Sequence, residues 1–194
     1  MIERIISDCE QALDHNLYFA ALSLALTLPD ICAKAKYPNE KSNKKRYVDW
    51  YEEYIGQHQK HPQLFEESDD FPYASGQIIY SLRCSLLHQG TPNIDGNKCN
   101  VTHFSLICES KKPPYAWEMS GTAPGRRELQ LPIRTICETI LTAVKKYYTE
   151  NKERFNFFNY HLIDWDEVIE QQIKMGNPPP YIEYLNKGEN NDQT

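Results

Sequence analysis

A mainly helical, up-and-down bundle carrying a small antiparallel β-hairpin insertion is the fold that this sequence predicts. Two observations carry that expectation. Apolar residues recur at helical spacing through residues 2–90 and again after Pro132. Between residues 97 and 131 the period changes to alternation, broken by the turn Lys112-Pro-Pro114. With 194 residues the chain can bury a real core, and the sequence predicts a single domain over 1–180, with 97–131 as its β insertion and 181–194 as a flexible tail.

The first helix is expected over residues 2–28, where Ile5, Ile6, Cys9, Leu13, Leu17, Ala20, Ala21, Leu24 and Leu28 fall in register. From Leu17 onward Phe19, Leu22 and Leu26 make it apolar nearly all round, so the bundle or a partner subunit must cover every side. Pro29-Asp30 predicts a kink, or a short new helix through Ala35. His15 reads as a surface histidine. The basic run Lys41-Ser-Asn-Lys-Lys-Arg46 reads first as the solvated start of a helix over 43–56; the sharper alternative makes Lys44, Lys45 and Arg46 a phosphate-gripping edge. Tyr47, Val48, Tyr51, Tyr54 and Ile55 line that helix in a pattern that suits core or interface packing better than base stacking. Residues 57–72 read as a polar connection, in which His58 and His61 have no carboxylate or cysteine at metal-binding spacing.

A capped helix is expected over 75–90. Ser75 is the N-cap, Ile79, Leu82 and Leu86 share one face, and Gly90 before Thr91-Pro92 stops it. Strands follow at 101–109 and 115–119, with a third at 128–131; residues 121–127 read as a flexible loop bringing Arg126 and Arg127 forward as a second anion-binding pair. Pro132 opens a helix that runs to about Arg154, with Ile133, Ile136, Cys137, Ile140, Leu141, Val144, Tyr147 and Tyr148 in register. The cluster Phe155, Phe157, Phe158 and Tyr160 is expected to pin the next segment to the bundle. Asp164 caps a last helix over 165–175, ended by Gly176.

Composition narrows the function. A net charge of −6 argues against a general nucleic-acid coat while leaving room for an enzyme that grips a few phosphates locally. The six cysteines are dispersed without a Cys-x-x-Cys pair, which predicts buried free thiols and no metal site. The N-terminal residues do not form a signal peptide, and the apolar run Leu17–Leu28 is shorter than the ~20 residues that cross a bilayer, so a cytoplasmic protein without membrane contact is expected. Phosphate loops, Gly-x-Ser-x-Gly elbows and His-Glu-x-x-His motifs are missing.

What remains is Arg83 and His88 on the 75–90 helix. An arginine fork beside a histidine suits a phosphodiester. Five residues of regular α-helix rotate by roughly 500°, leaving the two side chains about 140° apart, so convergence requires His88 in an irregular last turn. The ordinary alternative pairs Arg83 with a carboxylate and His88 with the last carbonyls of the helix. Arg83-Cys-Ser-Leu-Leu-His88 resembles the Arg, four to six residues, His signature of HEPN domains, and Leu86-Leu87-His88-Gln89-Gly90 resembles the usual end of that helix. Cys84 stands where many active members carry Asn, Asp or His, with Ser85 next as a substitute. The resemblance implies a helical frame over 1–90 and 132–175, a homodimer, no cofactor and no metal. It implies a metal-independent endoribonuclease of the defence or toxin kind, or else a non-catalytic module for a nucleotide, RNA or protein partner. In the active case Arg83 and His88 carry the catalysis, with Ser85 among the substrate contacts.

Overall fold

The computed structural model describes residues 1–59, 74–90, 103–108, 118–123, 126–158, 160 and 163–176. They fall into two compact units, Met1–Asn159 and Tyr160–Thr194. His61 and the tail 181–194 lie outside the described residues.

The first unit is mainly helical and is built round one central helix. α1 (Ile2–Asp14) buries Ile2, Ile6, Cys9 and Leu13, successive positions of one helical stripe. The expected helix over 2–28 is in fact two. α1 ends at His15, Asn16 takes a left-handed conformation (φ 56°), and α2 runs Tyr18–Lys36. Asparagine tolerates that conformation better than most side chains, so a short polar interruption suffices to end a helix where the apolar period alone would continue it. Pro29, expected to break or kink the chain, instead lies inside α2. Its missing N–H removes one backbone bond, but a broad buried face holds the helix in the core: Ala21, Leu22, Ala25, Leu26, Leu28, Pro29, Cys32, Ala33 and Ala35 are buried. α2 is also the one described helix long and apolar enough to cross a bilayer, and half of that stretch is buried inside the fold.

α3 (Asn43–Tyr51) starts at Ser42, whose hydroxyl accepts the Lys45 N–H at 3.2 Å, and buries Tyr47, Trp50 and Tyr51. It continues as a π-wound turn, Glu52–Gly56, and the short α4, Gln57–Gln59. α5 (Gly76–Cys84) starts at Ser75, which accepts the Ile78 N–H at 3.3 Å, and it too continues as a π-wound turn, Ser85–Gln89, closed by Gly90 in the left-handed region at φ 61°. α3 and α5 approach closely at Gly76, where a Cβ would meet the Val48 carbonyl oxygen at 2.9 Å. α6 (Ile133–Glu150) buries Ile133, Ile136, Cys137, Ile140, Leu141, Val144 and Tyr147 against α2. Each such side chain contributes about 1.5–3 kcal/mol relative to exposure. Arg134 of α6 donates to the Leu13 carbonyl at 2.7 Å, satisfying an end carbonyl of α1.

The insertion is not a simple antiparallel hairpin. β1 (His103–Ile107), β2 (Glu118–Ala123) and β3 (Arg126–Pro132) form a mixed sheet in the order β1-β3-β2, with β1 parallel to β3 and β2 antiparallel to it. Phe104, Leu129 and Leu131 enter the helical core, which explains the central place of β3. The loop expected over 121–127 is largely strand: Gly121 pairs with Arg127 and Ala123 with Arg126, with a register shift between Gly121 and Ala123. In the second unit, Asp164 Oδ1 accepts the N–H groups of Asp166 (3.1 Å) and Glu167 (3.2 Å) to cap α7 (Trp165–Lys174), and Gly176 follows at φ 75°. Phe155 is buried against Tyr147 and Tyr148, and Phe157, itself exposed, stacks on it at 6.3 Å between ring centres.

Candidate functional site

Arg83 and His88 lie on one continuous helix but on differently wound parts of it. Arg83 belongs to the last α-turn of α5; His88 belongs to the π-wound turn. A turn closed by i→i+5 bonds advances ~80° per residue instead of ~100°; with three or four of the five steps from Arg83 to His88 so widened, the two side chains stand roughly 60–80° apart instead of about 140°. The widened turn therefore brings His88 round toward the side of Arg83. Gly90 ends it, and His88 is exposed.

The carboxylate that meets Arg83 is Asp30. Its Oδ2 stands 2.5 Å from Arg83 Nη2, and both side chains are largely sheltered. It projects from α2 directly after Pro29. Burial pushes its carboxyl above the usual carboxylate range; Arg83, Arg46, the hydrogen bond from Arg83 and His88 pull the other way without cancelling that effect. Those influences put Arg46, Arg83 and His88 within electrostatic reach of one carboxylate. The Tyr80 ring lies 5.9 Å from the Arg83 guanidinium carbon and packs edge-on against Tyr47 at 5.3 Å. Arg83 Nε is buried and has no hydrogen-bond partner among the described residues. Burial pushes the Tyr80 hydroxyl up, helped by the neighbouring Cys84 thiol and by Asp30 and opposed by Arg83.

Searches against family models, curated proteins and solved structures find no match. The site is therefore judged on its own geometry.

The remaining expected residues divide. Arg46 is held by the Glu40 carbonyl at 2.5 Å and by Asn43, facing the Asp30 region. Lys45 turns elsewhere, pairing with Asp49 at 2.5 Å and Glu40 at 3.7 Å, and Lys44 is exposed. Ser85 is 4% exposed, so its hydroxyl sits inside the fold and not at a surface where substrate would meet it. Arg126 and Arg127 belong to β3, and their side chains are outside the described set. Cys9, Cys32 and Cys137 are buried free thiols, while Cys108 is exposed. Among the described residues no three His, Cys, Asp or Glu side chains gather as a metal site. Asp30 was not singled out by the sequence; the only signal for it is an acidic residue following a proline inside an otherwise apolar helix.

Proposed function

We propose that the chain is a HEPN-like, metal-independent endoribonuclease whose catalytic residues are Arg83 and His88. The observation that supports it is the π-wound turn at 85–89, which turns His88 toward Arg83 at the exposed end of the helix. In this reading the ribose 2′-oxygen attacks the adjacent phosphorus and the 5′-oxygen leaves. His88 accepts the 2′-hydroxyl proton or supplies one to the leaving oxygen. Arg83 offsets the charge that builds on the phosphorane-like transition state. The products are a 2′,3′-cyclic phosphate and a 5′-hydroxyl end. One histidine serves one of the two proton transfers, so a second copy of the chain supplies the other, making a homodimer part of the proposal. Leu17 (58% exposed) and Phe19 (61%) at the start of α2 are among the exposed apolar side chains that could serve it; Leu22, Leu26, Tyr47, Tyr51 and Ile55 are consumed by the core.

Cleavage of mixed single-stranded RNA by the wild type, Arg83→Ala and His88→Ala tests this. Each variant should lose about 10²–10⁴-fold in rate, and chelators should change nothing. Equal activity in all three proteins, or loss on chelation, overturns it. The second reading is a non-catalytic HEPN-like module that binds a nucleotide, RNA or protein partner. The Asp30–Arg83 pair favours it, being the ordinary partnership of a helical arginine with a carboxylate.

A further inference from the structure

Resting on the reading of Arg83 and His88 as a phosphodiester site, we propose that Asp30 is a built-in competitor for its anionic substrate: the carboxylate holds the arginine nitrogen that a forked grip on phosphate requires. A guanidinium offers two forked edges. The side edge pairs Nε with Nη2; the end edge pairs Nη1 with Nη2. Both include Nη2, the atom that Asp30 contacts at 2.5 Å. The Arg83 Nε is buried from solvent, so the side edge is closed to an incoming ligand and only the end edge is left. A phosphate taken there arrives beside a negatively charged carboxylate.

Asp30 cannot simply swing aside with its backbone, because the neighbouring residues Leu26, Leu28, Pro29, Cys32 and Ala33 anchor α2 in the core at this level. It yields in one of two ways, by turning its side chain toward solvent or by taking up a proton. The groups that face it are Arg46 and Tyr47 from α3, and Tyr80, Arg83 and His88 from α5 and its π-wound end. An anion bound among them adds negative charge next to Asp30 and favours its protonated form. Binding is thereby tied to proton uptake, and affinity rises as pH falls through the raised range of the Asp30 carboxyl. Asp30 touches no reacting atom; it acts through Arg83, as a positioning residue that opposes the ligand.

The test is binding of a labelled single-stranded RNA carrying 2′-O-methyl groups, which lacks the nucleophile and is not cut, by fluorescence anisotropy between pH 5 and pH 8. Wild type, Asp30→Asn, Asp30→Ala, His88→Ala and Arg83→Ala are compared, each checked by thermal melting. Asp30→Asn should bind about tenfold tighter than wild type or better at the alkaline end, and its affinity should vary less with pH. His88→Ala should keep the acid-side tightening, which assigns that limb to Asp30. Arg83→Ala should lose binding. Folded Asp30→Asn and Asp30→Ala that bind no tighter than wild type, while Arg83→Ala fails to bind, overturn the competitor and leave the site standing. Arg83→Ala and His88→Ala binding like wild type overturn the site itself, and the competitor with it.

Discussion

The turns at Glu52–Gly56 and Ser85–Gln89 share one widened winding, yet their surroundings differ completely. The first is continued by more helix, and Ile55 and Gly56 within it are buried. The Glu52 carboxylate lies over Gly56, where a Cβ would collide with it, and accepts the Gly76 N–H at 2.6 Å, joining α3 to the start of α5. The second turn ends at Gly90 and carries the exposed His88 beside a cluster of charged groups from two other helices. Widened turns are frequent at functional sites, but here the winding alone does not distinguish scaffold from site. What distinguishes them is whether the turn is enclosed by packing or left at a helix end beside unbalanced charge.

Four outcomes would sharpen or break that contrast, and the largest concerns the second turn. His88→Ala should lower RNA cleavage about 10²–10⁴-fold while changing folding stability by no more than about 1 kcal/mol, read by denaturant titration. A loss of stability as large as the loss of activity would put both turns in the same class. Next is the first turn, where Glu52→Ala removes a charged acceptor from the Gly76 N–H. It should cost about 1–3 kcal/mol in the same titration, and a change within error would show that the turn does not lean on that bond. Third, Asp30 gives stability a pH signature. Its folded carboxyl takes up a proton more readily than the unfolded one, so its contribution favours folding below the ordinary carboxylate value and is lost as pH rises through the raised folded value. Asp30→Asn should remove that slope from the difference between variant and wild-type stability curves. The smallest effect is expected at Tyr147, whose buried hydroxyl has no hydrogen-bond partner among the described residues and is pushed up to about 12 mainly by burial. Tyr147→Phe should leave stability within about 0.5 kcal/mol or raise it slightly, whereas a larger loss would reveal a partner for that oxygen.

How much of the fold and site was legible in the sequence depends on the reach of each signal. α5 and α6 were readable because a cap residue, a regular apolar face and a terminating glycine or a leading proline all act within a few residues. The division between α1 and α2 was not, because periodicity runs on across the interruption and the cue is one asparagine's tolerance of a left-handed backbone. Pro29 misled for the opposite reason: its local preference was overridden by the burial of Pro29 and its neighbours on a broad face of α2. The order of the sheet was hidden because alternation marks strands without naming their neighbours, and β3 is central by virtue of Leu129 and Leu131 meeting the helical core. At the candidate site, spacing alone singled out Arg83 and His88 as candidates. Asp30 could not be found that way, since an ion pair between distant segments leaves no periodic trace. Nor could the π-wound turn that narrows the angle between Arg83 and His88, since no residue type in 85–89 demands it.

The joint between β3 and α6 has a consequence of its own. Strand passes into helix at Pro132–Ile133 with no loop between them, so strand register and helix rotation are a single setting, like two gears on one shaft. Slipping β3 by one residue would turn Leu129 and Leu131 away from the core and rotate the buried stripe of α6 by about 100° relative to α2. A three-stranded sheet has little power to choose its own pairing. Here an eighteen-residue helix proofreads it, and amide exchange should show β3 and the first turns of α6 opening together.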